Sequence, residues 1–182
     1  MRVVSIVGMA GSGKSEVAHI FESRGFTRIR FGDITDAEIK KRGLELNEQN
    51  ERVIREHLRE QCGMAAYARL NLLKLDAALK HSCVVIDGLY SWEEYILLKD
   101  YYGEDFILVA IWSSPDTRYN RLSQRRCRPL RLGEAIERDR SEIEMVNKGG
   151  PIAMADYTIT NESSLNVLRE ETEVVITKIG DR

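Results

Sequence analysis

At 182 residues, the chain is long enough for one compact core and too short for a nucleotide domain plus a separate substrate domain. Its 27 lysines and arginines against 29 acids leave a net charge of -2, which excludes whole-surface attraction to nucleic acid or anionic membrane; any positive field must be local. Cys62, Cys83 and Cys127 are too scattered for a disulfide framework or structural zinc, and apolar runs such as Phe106 to Trp112 are too short for a membrane span or signal peptide, so a cytoplasmic protein is expected.

The chain begins with an apolar strand, Arg2 to Val7, followed by Gly8-Met9-Ala10-Gly11-Ser12-Gly13-Lys14-Ser15, which fits G-x-x-x-x-G-K-[ST]. Gly8, Gly11 and Gly13 let the backbone curl so that successive N–H groups, including that of Ser12, converge on an anion. Lys14 then reaches the outer phosphates and Ser15 holds Mg²⁺, while the helix read over 14–23 adds its positive N-terminal end. A nucleoside triphosphate is the expected ligand.

A strand over 26–31 leads to Gly32-Asp33, and helices are expected over 34–42, 48–61 and 64–80. Asp33 has two readings: a carboxylate capping the following helix, or a base that takes a proton from an attacking hydroxyl. On the helix at 48–61, Arg52, Arg55 and Arg59 alternate with Glu51, Glu56 and Glu60, the pattern of a solvated, salt-bridged helix. The apolar strand at 82–86 ends in Asp87-Gly88; with the phosphate loop present, Asp87 reads as a second group ordering Mg²⁺, and without it as a strand entering a turn. A helix at 92–101 and a strand at 105–112 follow.

Between Arg118 and Arg140 the chain carries eight arginines and no lysine, offset only by Glu134, Glu137 and Asp139. A solvated helix face is the plain reading of Arg118 and Arg140. Arg121 and Arg125 share a face of the helix read over 116–126, and Arg128-Pro129-Leu130-Arg131 breaks it before another at 133–147. Helix, basic loop and returning helix make a lid over about 118–140, with Arg125 and Arg126 as the cations offered to a transferring phosphate. A last strand at 157–160 and a helix at 164–178 complete an alternation that implies a single α/β domain over 1–182. Its parallel sheet is covered by helices on both faces, and ligands bind beyond the carboxyl ends of the strands.

These motifs, with Phe31-Gly32-Asp33, Val85-Ile86-Asp87-Gly88, Arg121-x-x-x-Arg125-Arg126 and Ala155-Asp156-Tyr157-Thr158-Ile159-Thr160-Asn161, give the chain its likeness to known proteins. It resembles P-loop kinases of the nucleoside monophosphate kinase group, especially adenylate kinase and dephospho-CoA kinase, and more closely an archaeal adenylate-kinase-related family. The resemblance implies a P-loop NTPase fold with a five-stranded parallel sheet, ATP with Mg²⁺ as donor, an arginine-rich lid and acceptor-side helices over about 33–80. It also implies adenine held between Arg121 and the loop around Asn161 to Ser163; a helix cap is the plain reading of Asn161 and Ser163. Adenylate kinase places phosphate-gripping arginines where this chain has Asp36 and Ser91. Replacement from Arg52, Arg55, Arg59 or Arg69 is the alternative.

The expected activity is therefore ATP-dependent phosphoryl transfer to a nucleotide or nucleotide-like small molecule, with a hydroxyl acceptor slightly favoured over the phosphate of AMP. The rival is a regulatory or assembly factor that keeps the fold and ATP pocket but uses closure as a switch.

Overall fold

The computed structural model describes residues 1–180. Five strands, β1 (Val3–Val7), β2 (Thr27–Arg30), β3 (Val84–Asp87), β4 (Phe106–Trp112) and β5 (Tyr157–Thr160), form one parallel sheet in the order β2-β3-β1-β4-β5. β1 lies at the centre, with Ile6 opposite Asp87 of β3 and Val7 opposite Ala110 of β4.

Because side chains alternate along a strand, each apolar run serves two cores at once. Val3, Val7, Val84, Ile86, Phe106, Leu108 and Ala110 pack on one face with residues of α2 (Asp33–Lys41), α3 (Glu48–Cys62), α4 (Ala66–Leu79) and α5 (Trp92–Tyr102). Val4, Ile6, Val85, Ile107, Val109 and Ile111 pack on the other with α1 (Lys14–Ser23) and α9 (Leu165–Gly180). Burying both faces explains why the strands read as nearly continuous hydrophobic runs.

The helix expected over 116–126 stops early, as α6 (Pro115–Ser123). Leu130 is buried, and its N–H donates to Leu122 O at 3.1 Å, so the chain turns back at once. Arg125, Arg126 and Arg128 therefore sit on a loop between α6 and α7 (Leu132–Glu144) rather than on a helix face. A short α8 (Gly149–Ala153) was not expected from Gly149-Gly150-Pro151, a sequence poor in helix formers. Its Gly150 is set by close approach: a Cβ there would lie 2.6 Å from the Trp92 ring. No helix among the described residues is long and apolar enough to cross a membrane.

Candidate functional site

The loop from Gly8 to Gly13 joins the end of β1 to α1, with positive φ at Gly8, Gly11 and Gly13. Its carbonyls are tied from outside. Arg118 donates to Ala10 O at 3.2 Å, and the Asn161 amide to Ser12 O at 2.8 Å. The N–H groups of Gly11, Gly13, Lys14 and Ser15 have no acceptor among the described residues, which leaves a curved set of donors at a helix N-terminus that can receive an anion. A Cβ on Gly13, at φ +101°, would lie 2.3 Å from Asn161 Nδ2. Gly13→Ala is expected to cost about 1–3 kcal/mol through backbone strain and the lost Asn161 brace, seen as a lower thermal midpoint in a melt.

Lys14 opens α1, and its ammonium folds back to donate to Met9 O at 2.9 Å. Burial, reinforced by the nearby Lys148 charge, lowers its pKa to about 7. Ser15 Oγ lies 3.4 Å from Asp87 Oδ1, while Arg28 holds Asp87 Oδ2 through Nε at 3.2 Å and NH2 at 2.5 Å. Asp87 is thus a buried carboxylate fixed by Arg28, with its other oxygen turned to Ser15. One hydroxyl and one fixed carboxylate suit Mg²⁺, whose shell is completed by waters and substrate phosphates.

Arg118 is no solvated charge. Only 4% exposed, it makes a two-pronged pair with Asp139 of α7 at 2.8 and 2.6 Å and also donates to Ser113 O and Ala10 O. The arginine that read as surface decoration clamps α7 to the glycine-rich loop. Arg140 does lie in solvent, paired with Glu144. Arg121 donates to Ser113 Oγ, to Asn161 O at 3.0 Å and to Asn161 Oδ1 at 3.3 Å, bringing the two residues together beside the phosphate loop.

A cavity of about 360 Å³ opens over the loop, bordered by Gly11, Gly13, Lys14, Ser15 and Asp87 on one side and by Arg30, Asp36, Glu51 and Arg55 on the other. Arg125 borders it, is exposed over much of its surface and forms no ion pair among the described residues; the partial desolvation of its guanidinium, then the charges of Arg138 and Arg128, lower its pKa. Arg126 is exposed and outside this lining. Asp33 is the first residue of α2, its side chain 54% exposed, with Oδ1 held by Arg30 at 2.8 Å. The capping reading is not realised, since Gly32 precedes the helix and no side chain caps it. Asp36, not Asp33, reaches the cavity lining, and it takes Arg30 at 2.7 Å and Arg128 at 3.2 Å.

The helix at 48–62 is only half solvated. Arg52 pairs with Glu56 outside, but Arg55 turns inward to Glu48 at 2.6 Å and Glu51 at 3.2 Å. Glu51 also takes Arg128 at 2.8 Å, and Glu48 takes Arg138 at 2.7 Å, so α7 and the loop before it are tied to α3. Ser91 is the cap of α5, accepting from Glu94 N at 3.1 Å, which accounts for its small polar side chain.

Sequence reasoning missed Lys148 and Glu142. Lys148 is 1% exposed, lies 2.8 Å from the Glu142 carboxylate and sits over the Tyr90 ring at 5.4 Å. Burial opposes the charge on Glu142, yet Lys148, Arg138 and Lys14 hold its carboxyl well below the usual range. Both residues border the phosphate cavity and a second one of about 1120 Å³ between α3 and α7. Nothing in the sequence distinguishes this lysine from a surface one.

The AAA domain family matches residues 4–146. A UPF0200 protein of Thermococcus kodakarensis is 39% identical over 183 residues, covering 98% of this chain and 96% of that protein. Another, from Pyrococcus abyssi, is 34% identical over 97% of this chain and 96% of its own length. Among solved structures, a gluconokinase from Sinorhizobium meliloti superposes with a TM-score of 0.63 at 14% identity, covering 99% of this chain and 94% of that one. A shikimate kinase from Acinetobacter baumannii in complex with shikimate gives 0.61 at 15% identity, covering 100% and 94%. The fold is that of the P-loop small-molecule kinases, and the chain belongs to the AAA domain family and to the archaeal UPF0200 family.

Proposed function

We propose that the protein transfers a phosphoryl group from ATP, with Mg²⁺, to a hydroxyl of a small molecule. The observation that carries this reading is how the cations divide along the cavity. Lys14, Arg121 and Arg125, on the donor side, have no carboxylate in ion-pair contact among the described residues. Arg30, Arg55 and Arg128, on the acceptor side, are each paired with Asp or Glu. A triphosphate gathers on the first set without breaking an ion pair of any of the three. An acceptor phosphate on the second would have to break charge-assisted bonds already made, whereas an uncharged hydroxyl would not.

In this reading the donor N–H groups and Lys14 hold the phosphates, Ser15 and Asp87 hold Mg²⁺, and adenine lies by Arg121 and Asn161. Bound Mg²⁺ supplies neutralisation of phosphate charge. Arg125, beside Arg126 on the lid loop, is the cation free to meet the transferring group. Asp33, outside the lining but next to its residue Gly32, is the base: Arg30 occupies its Oδ1, and Oδ2 has no partner among the described residues, whereas both oxygens of Asp36 are engaged. A nucleotide-like acceptor fits if it reacts through a hydroxyl.

The test is ADP release, by a coupled assay, across dephospho-CoA, shikimate, gluconate and AMP. Turnover of a hydroxyl acceptor above idle hydrolysis supports the reading; turnover of AMP alone, or of none, opposes it. Asp33→Asn is expected to lower turnover about 100-fold with ATP affinity by calorimetry unchanged, and an equal loss in both would remove Asp33 from that role. The ion pairs that tie Arg128 and Arg138 to α2 and α3 favour one second reading, an ATP-operated switch. Its signature is partner binding that differs between ATP and ADP, with no transfer.

A further inference from the structure

We infer that Glu142 is a built-in stand-in for phosphate: its carboxylate fills a subsite formed with Lys148 and Arg138 beside Lys14, and the terminal phosphoryl group of ATP displaces it. This rests on the phosphate-loop reading above and adds a subsite that the loop motif does not contain.

The geometry is specific. Lys148 Nζ lies 2.8 Å from Glu142 Oε2, and Arg138 Nε lies 3.3 Å from Oε1. Both cations border the same cavity as Gly13, Lys14 and Ser15, so the carboxylate sits where the phosphate loop meets the acceptor side. Burial, the Lys148 and Arg138 charges and the Lys14 charge all act on this one group. Three cations, Lys148, Arg138 and protonated Lys14, meet two carboxylates here, Glu142 and the Glu48 that also takes Arg138, so the cluster keeps a surplus of positive charge. A phosphoryl group, with three oxygens and a higher charge, satisfies it better.

The same arrangement explains why a lysine is buried here at all. With Glu142 in place, Lys148 is paired and held over the Tyr90 ring, ready and desolvated. Once a phosphoryl oxygen replaces the carboxylate, Glu142 is left among the second cavity's residues, and α7, which carries both Glu142 and Arg138, feels the exchange. ADP, which lacks the terminal group, has no means of displacing Glu142. The subsite therefore distinguishes ATP from ADP, apart from any acceptor.

Calorimetric titration of the whole chain with Mg·ATP and Mg·ADP tests this. Glu142→Gln is expected to raise the preference for ATP over ADP roughly tenfold or more, the share of one charge-assisted interaction. The pair Glu142→Gln/Lys148→Met, which leaves no buried charge uncompensated at that contact, is expected to bring ATP affinity down toward that of ADP with ADP affinity unchanged. Circular dichroism melts identify variants that fold. A wild-type ATP-to-ADP ratio in the folded double variant overturns the inference, as does a ratio unmoved or lowered by Glu142→Gln, the isosteric change that keeps Lys148. Failure of the unaltered protein to bind either nucleotide overturns the phosphate-loop reading instead.

Discussion

Lys14→Ala is expected to weaken Mg·ATP binding by about 30- to 1000-fold, equivalent to roughly 2–4 kcal/mol for a buried charge removed from a polyanion. Turnover falls with it. The physical basis is that Lys14 directly follows the glycine-rich loop, and its hydrogen-bond partner among the described residues is the Met9 carbonyl. Its pKa of about 7 adds a pH dependence. Above pH 7 the side chain of the free protein loses its proton, but a bound polyphosphate restores the ammonium. Binding therefore takes up a proton, and affinity falls as pH rises, by up to about tenfold per unit. Calorimetry at pH 8 in buffers of different ionisation enthalpy is expected to show proton uptake approaching one per nucleotide, less whatever the nucleotide itself contributes. Lys148, Glu142, Arg138 and Asp87 surround Lys14 and set the starting point, so the Lys14→Ala variant is the control. If it retains the same uptake, the proton belongs elsewhere; if it retains affinity, Lys14 does not meet the phosphates.

How much of this site could be read in advance depends on whether a signal was local. The phosphate loop was legible because strand, glycines and lysine must be contiguous to build one curved donor set. The strands were legible because burial on both faces forces continuous apolar runs; Tyr157 to Thr160 is found with the very bounds expected. Arg121 and Asn161 meet, yet only the resemblance to known kinases linked them, since residues so far apart carry no mutual spacing signal. Arg118 was misread for the same reason: its partners Asp139 and Ala10 are distant in sequence, and a charge alternating along a helix looks alike whether it faces water or a carboxylate. Asp36 and Ser91 read as lost phosphate clamps, but the fold gives each a positive task, one holding two arginines and the other capping α5. Lys148 and Glu142 were invisible because burial of a charge is decided by tertiary packing alone.

The pair between Arg118 and Asp139 is where stability and site geometry are most tightly joined. Arg118→Met alone strands Asp139, whose other contact is the Tyr119 hydroxyl at 3.0 Å, and is expected to cost about 3–5 kcal/mol. For a chain of this size that is a fall of roughly 6–20 °C in thermal midpoint. The double change Arg118→Met/Asp139→Leu removes both charges together, so the penalty of an unpaired buried carboxylate disappears and much of the midpoint is expected to return. Nucleotide affinity is not expected to return with it. Arg118 also donates to Ala10 O and Ser113 O, and no apolar side chain replaces those bonds. The double variant therefore separates two contributions that the single change confounds: recovery of the melt without recovery of Mg·ATP binding assigns Arg118 to bracing the loop. Recovery of both would mean that the loop holds its curvature without help from the lid.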